Sequence, residues 1–325
     1  MTSPFPPGED DHHVPVLLER IVELMSPVLG RDGAVMVDAT LGLGGHTRAV
    51  LEACPQARVI GLDRDPAALA GARVRLGPLA EHVTFVHTVY DQLASALADL
   101  GLWHVDALLF DLGVSSMQLD QVERGFSYAS DAPLDMRMDP TTGATAADVL
   151  ASADEDEIAR ILREYGEERF ARRIARAVVA QRRTRPVATS AELVELIRES
   201  IPAAARRTGG HPAKRTFQAL RIEVNEELPM LRRALPQAVK ATAVGGRLVV
   251  MSYHSLEDRM VKQELAQHAG PRDVPPGLPV IPEHLQPRMR LLTRGAEKAA
   301  QHEIDVNPRA RSVRLRAAER VRQEA

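Results

Sequence analysis

The sequence predicts an α/β protein, a doubly wound parallel sheet with an all-helical domain inserted after its fourth strand. Three observations lead there. Apolar, β-branched strands alternate with short helices from Ala34 to Phe110, and a glycine-rich turn follows the first of them. From about Met117 to Gly210 there is then no convincing strand, before the alternation resumes.

Ala34 to Ala39 reads as the first strand, Thr47 to Ala53 as a helix and Arg58 to Leu62 as the second strand, a βαβ unit that requires parallel pairing. Asp65-Pro66 supplies an N-cap and a proline at the first helical position for a helix to about Leu76. His82 to His87 is the third strand. Val105 to Phe110, continuously apolar as a strand covered on both faces must be, is the fourth and runs into Asp111. In the insertion, Ser152 with Glu155 and Thr189 with Glu192 read as capping boxes for helices through Tyr165 and Ser200. Between them Phe170, Ile174, Val178 and Gln181 mark one face of a helix whose other face carries Arg169, Arg172, Arg173 and Arg176. Thr216 to Thr242 is one helix, or two broken at Pro229. Gly245-Gly246 then leads into a strand over Arg247 to Ser252, and after a proline-rich loop from Pro271 to Pro287 short strands are expected near Leu291 to Thr293 and Ser312 to Arg316. The expected domains are 1–116 with 213–325, and 117–212.

Composition narrows the function classes. At 325 residues, 45% hydrophobic and 26% charged, the chain is long enough for a sizeable core and is neither fibrous nor largely disordered. Six Phe, four Tyr and one Trp leave few rings for a stacking platform, so any nucleic-acid contact must lean on charge and shape. The net charge of −3 gives no global sign of a polyanion partner. Basic footprints are local: the Arg169 to Arg185 face, then Arg206, Arg207, Lys214 and Arg215, then a tail from Arg288 to Arg322 with ten basic residues against four acidic. The tail is the better candidate for phosphate contact, since Glu168 can pair with Arg172 at helical spacing and leave an ordinary solvated face. A single cysteine, Cys54, excludes a disulfide framework and reads as a small buried filler in a reducing compartment. The first dozen residues read as a loose tail without the features of a signal peptide, and no run approaches a membrane span, so the expected location is the cytoplasm.

The first strand ends in Asp38-Ala39-Thr40-Leu41-Gly42-Leu43-Gly44-Gly45-His46, a loop whose glycines let backbone approach a ligand at the strand's carboxyl end. A dinucleotide fingerprint wants a further glycine where Thr47 stands. Asp63, ending the second strand, is placed to accept hydrogen bonds from both ribose hydroxyls of an adenosine. Tyr90, just past the third strand, is a candidate to lie on the adenine face, and Asp111 falls where a methionyl amine or the reacting base would be. The histidines other than His46 and His254, His12 and His13 among them, read as structural or tail residues, with no ligand cluster for a metal.

Further motifs make the reading specific: His13-Val14-Pro15-Val16-Leu17-Leu18, the Asp38 to His46 loop, Asp63-Arg64-Asp65-Pro66, Asp111-Leu112-Gly113-Val114-Ser115-Ser116, Arg124-Gly125-Phe126-Ser127-Tyr128 and Leu134-Asp135-Met136-Arg137-Met138-Asp139. Tyr165-Gly166-Glu167-Glu168, Phe217 to Ile222, Tyr253-His254-Ser255-Leu256-Glu257-Asp258-Arg259 and Asn307-Pro308-Arg309-Ala310-Arg311-Ser312 continue the series. In this order, over nearly the whole chain, they resemble the MraW (RsmH) family of ribosomal RNA methyltransferases. The resemblance implies a Rossmann-like methyltransferase domain that uses S-adenosylmethionine, with a helical insertion serving RNA recognition. It implies N4-methylation of a cytidine in the decoding region of 16S ribosomal RNA, with the assembled small subunit as substrate. The cofactor contacts it implies are Gly44, Gly45, His46, Asp63, Tyr90, Asp111 and Gln118.

Methyl transfer from a sulfonium is an in-line displacement that needs alignment and a dry site, and no metal. The exocyclic amine must also lose a proton, so an acceptor is expected. Asp111 is one candidate, although its sequel Leu112-Gly113-Val114 lacks the prolines and aromatic that follow the motif in amino-group methyltransferases. His254 is the other, set beside a loop-fixing role for the same side chain. Rival readings are an NAD-dependent oxidoreductase, a non-catalytic RNA-binding assembly factor and a small-molecule methyltransferase, and a homodimer is left open.

Overall fold

A computed structural model describes residues 15–203, 211–270 and 286–323. The chain divides into two compact units, Met1–Gly113 with Leu231–Ala325, and Val114–Met230.

The first unit is a seven-stranded sheet. Strands β1 (Val35–Asp38), β2 (Arg58–Asp63), β3 (Val83–His87), β4 (Val105–Asp111), β5 (Thr242–Ser252), β6 (Met289–Leu291) and β7 (Arg314–Arg320) lie in the order β3-β2-β1-β4-β5-β7-β6. Pairing is parallel from β3 through to β5, while β7 runs antiparallel to both β5 and β6. Alternation along each strand explains the continuous apolar runs, because both faces are covered. Met36, Ala107, Leu109, Val249 and Met251 pack with Ile21 and Met25 of the helix Leu18–Leu29 and Val50 and Leu51 of the helix Gly45–Ala53. Val35, Val37, Leu108, Phe110, Leu248 and Val250 face the opposite layer, with Leu93, Leu97, Leu235, Val261 and Leu265. Cys54 is buried in the first layer, as its filler reading expects. Asp65 caps the helix Pro66–Leu76, accepting from the amide of Ala67 at 3.0 Å.

The second unit contains no named strand among its described residues. Its core gathers Leu134, Met136, Ile158, Leu162, Ile174, Val178, Leu193, Ile197, Phe217 and Leu220. Two side chains hold the Leu134 to Asp139 segment: Arg124 donates to the carbonyls of Arg137 and Met138, and Asn225 bonds both the carbonyl of Met136 and the amide of Met138. Gly166 allows a close crossing, since a Cβ there would stand 2.6 Å from the carbonyl of Arg215.

Several expected boundaries move. The helix Lys214–Asn225 contributes Phe217 and Leu220 to the insertion's core, so the second unit extends to Met230 and not to 212. The break in Thr216 to Thr242 comes at Glu226, in a left-handed conformation, while Pro229 sits inside the first turn of the next helix, Glu227–Ala241, where its missing N–H costs nothing. Asp154, not Ser152, caps the helix Glu155–Glu164; Ser152 ends the helix before it. Gly245 and Gly246 lie within β5 at a register shift, where a Cβ on Gly246 would meet the carbonyl of Asp106. Glu168 is turned inward and accepts from the amide of Phe170, so its expected pairing with Arg172 is replaced. The expected Thr189–Glu192 capping box is present. His12, His13, Arg206, Arg207 and most of the proline-rich loop lie outside the described residues.

Candidate active site

The strand order reverses beside β1: the chain steps outward through β2 and β3, then returns to place β4 on the other flank. In open α/β sheets the carboxyl ends at such a switch form a ligand crevice. Asp38 pairs with Gly61 on β2 and with Leu109 on β4, so Asp63 and Asp111 stand just beyond it on the two flanking strands. Three carboxylates thus meet at one end of the sheet.

Asp38 is 2% exposed and is consumed by the loop it precedes. It accepts from Thr47 Oγ1 at 2.8 Å and from the amide of Thr40 at 3.3 Å, and burial raises its pKa. Asp63 accepts the amide of Gly42 through Oδ2 (2.8 Å) and that of Asp65 through Oδ1 (2.9 Å). Burial pushes it up to about 6, against the pull of those two amides. Each oxygen keeps a second lone pair, so the carboxylate still has capacity for two hydroxyl donors.

The loop glycines answer first to the chain itself. Gly44 caps the helix Gly45–Ala53 at φ +77°, a conformation that penalises a side chain, and a Cβ there would stand 3.2 Å from Leu76. A Cβ on Gly45 would stand 2.5 Å from Pro15. His46 is buried with Nε2 2.9 Å from the carbonyl of Val16. A carbonyl only accepts, so Nε2 carries a proton and Nδ1 faces Asp111 Oδ2 at 3.7 Å, beyond hydrogen-bond range.

Asp111 is held at three points. Its amide donates to Thr40 Oγ1 at 2.7 Å, Tyr253 donates its phenol to Oδ1 at 2.7 Å, and His46 lies beside Oδ2. Its side chain retains 27% exposure. Burial raises its pKa, opposed by His46 and by the Tyr253 hydrogen bond. Tyr90 follows β3 in a short 3-10 turn and sets its ring edge-on to Phe110, centroids 5.9 Å apart. Asp91 next to it, which no sequence motif singled out, is fastened by Arg233 at 2.8 Å.

His254 caps the helix Ser255–Ala269: Nδ1 accepts from the amide of Glu257 while the Glu257 carboxylate takes the amides of Tyr253 and His254. Nε2 lies 3.1 Å from Glu257 Oε1 but at an angle that makes no hydrogen bond, and the side chain is 8% exposed. This is the loop-fixing role, and it turns both ring nitrogens toward Glu257. Gln118 belongs to the second unit, where its side chain completes a capping box with Ser115. Asp38, Thr40, Tyr253 and Glu257 all lay inside quoted motifs, but nothing in those motifs alone assigns them a contact.

The basic footprints are partly spent on structure. Arg314 and Arg316 both bond Asp258, Arg290 reaches Glu319, and Arg320 is buried against the carbonyls of Val239, Lys240 and Thr242. Arg294, Lys298 and Arg311 remain exposed in the tail, as do Arg172 and Arg173 in the second unit.

The model of the MraW methylase family matches residues 10–321. "Ribosomal RNA small subunit methyltransferase H" of Parafrankia sp. is 64% identical over 97% of this chain and 96% of its own. The protein of that name from Nocardioides sp. is 65% identical over 95% and 96%. Among solved structures, an rRNA methylase from Streptococcus thermophilus is a distant likeness, with 12% identity over 94% of each chain and a TM-score of 0.41.

Proposed function

Because the chain belongs to the MraW methylase family, we propose that it transfers a methyl group from S-adenosylmethionine to small-subunit ribosomal RNA, at N4 of a cytidine in the decoding region, with the assembled small subunit as substrate. The observation that carries the reading is the pair of carboxylates flanking β1: Asp63, half-buried with acceptor capacity to spare, and Asp111, whose side chain stays partly exposed with only Oδ1 bonded to Tyr253. They suit a ligand with ribose hydroxyls at one end and an ammonium at the other.

When bound, S-adenosylmethionine supplies an electrophilic methyl group on a sulfonium. Asp63 would accept the ribose hydroxyls, Tyr90 would offer a ring held edge-on by Phe110, and the loop Gly44–His46 would line the site. Gln118 is a further contact that the family resemblance implies. Oδ2 of Asp111 accepts an N–H, from the donor's ammonium or from the amine being methylated. The amine lone pair is delocalised into the base, so an aligned acceptor that draws off the proton favours attack. The His254 ring is committed to the helix cap, which leaves Asp111 as that acceptor. The insertion forms the RNA-recognition surface through its exposed arginines, and unstacking the target costs least in looped RNA.

The test is tritiated methyl transfer to small subunits that lack the modification. The wild-type chain is expected to label them, and Asp63→Ala to bind S-adenosylhomocysteine at least about tenfold more weakly, since a charged hydrogen-bond partner is lost. Labelling of a small metabolite pool with none on subunits would replace the substrate.

A further inference from the structure

The segment Tyr253 to Arg259 is left without a chemical role once His254 is read as a helix cap. We propose that it works as a strut: Tyr253 is a positioning residue that fixes the rotamer and the charge of Asp111. The inference rests on the reading of Asp111 as a contact of the methyl donor.

The strut can be followed bond by bond. Asp258 anchors the first turn of the helix Ser255–Ala269 to β7, bonding Arg316 Nε at 2.7 Å and Arg314 at 3.1 Å. His254 and Glu257 close the reciprocal cap, and Glu257 Oε2 also takes the amide of Tyr253 at 2.8 Å. The tyrosine backbone is therefore fixed before its side chain begins. Its ring packs on the apolar layer beneath the helix Leu18–Leu29 and beside Gly113, whose φ of +99° turns the chain after Asp111 and where a Cβ would stand 3.7 Å from the ring. The phenol then reaches Asp111 Oδ1 at 2.7 Å.

That single hydrogen bond has two consequences. It takes one lone pair of Oδ1 and leaves Oδ2, which this bond does not touch, the less committed acceptor. It also stabilises the ionised carboxylate, in an environment that otherwise favours the protonated one. The other charged or titratable groups facing the pair are His46 from the helix Gly45–Ala53, Asp38 from β1, Glu257 from the helix Ser255–Ala269, and Glu303, which faces Tyr253. His46 favours the ionised form of Asp111 and Glu257 opposes it. Tyr253 itself is a dependable donor, since burial and the adjacent Asp111 carboxylate keep its phenol neutral.

Tyr253→Phe removes the hydroxyl and keeps the ring. The measurement is the affinity for S-adenosylhomocysteine across pH, by calorimetry, on the full chain. Loss of a hydrogen bond to a charged group should weaken binding about tenfold or more near neutrality. The acid limb of the pH profile should move to higher pH, because Asp111 then protonates more readily. In an Asp111→Asn background, Tyr253→Phe should change affinity less than about twofold, since the partner whose charge it sets is gone. If Tyr253→Phe folds poorly, ring-fluorinated tyrosine placed at position 253 keeps the contact and strengthens the donor, and the acid limb should then move the other way. A wild-type affinity and acid limb in Tyr253→Phe, or an equal loss in both backgrounds, overturns the inference while Asp111 keeps its role. Full binding by Asp111→Asn overturns the reading of Asp111 as a contact of the methyl donor and this inference with it, whereas no binding by the wild-type chain overturns the functional reading as well.

Discussion

Asp63 is protonated more readily in the folded chain than in the unfolded one, its pKa rising from 3.8 to about 6. The folded state therefore holds the extra proton across that window, so this residue's contribution to stability is greatest on the acid side and declines as pH rises from 3.8 to about 6. Ligand binding runs the other way, because only the ionised carboxylate accepts at both oxygens: calorimetric affinity for S-adenosylhomocysteine should fall as pH drops through about 6. An affinity flat through that range would mean that Asp63 is not the hydroxyl acceptor. His254 gives a second residue-scale prediction. As an N-cap its loss costs about 1 kcal/mol, so His254→Ala should lower the melting temperature, and His254→Asn, a good cap with no titratable ring, should restore both stability and turnover. Turnover absent in a stable Asn variant would return the ring to the chemistry.

At the scale of elements, the fastening of the helix Ser255–Ala269 to β7 is the joint that matters most for the site. Asp258→Ala strips a half-buried pair of arginines of their shared carboxylate and should destabilise the chain by about 3 kcal/mol in denaturant unfolding, with weakened ligand binding because Tyr253 hangs from the same turn. Asp258→Asn, which keeps part of the bonding, should fall between. The elements that the sequence made legible are those with strong local signals: β1 to β4, the Asp65-Pro66 start and the Thr189–Glu192 box. Those it misplaced depend on competition between neighbours. Asp154 outcompetes Ser152 for the cap two residues on, and the left-handed Glu226 breaks a helix pair that Pro229, legal in a first turn, does not. Glu168 could have paired outward with Arg172, but the backbone amide of Phe170 was available inward. In the site, strand tips announced Asp63 and Asp111, whereas Tyr253 reaches Asp111 across 142 residues of sequence, a contact that no local pattern encodes.

For the molecule as a whole, the chain alternates between two construction rules, a sheet covered on both faces and a helical core, and the second is threaded into the first between Gly113 and Leu231. Among the described residues no helix is long and apolar enough to cross a membrane and no cluster of side chains could hold a metal ion. The motifs serve separate ends. Arg124 and the Leu134 to Asp139 segment brace the insertion, the Asp38 to His46 loop and Asp63 build the crevice, and Tyr253 to Arg259 steadies Asp111. Whether that crevice methylates a base is read most directly by mass analysis of nucleosides digested from small subunits after incubation with the chain and isotopically labelled S-adenosylmethionine. The expected result is label on a single cytidine, at N4, absent from Asp63→Ala and Asp111→Asn reactions. Label on a uridine, on a ribose, or on large-subunit RNA would contradict it.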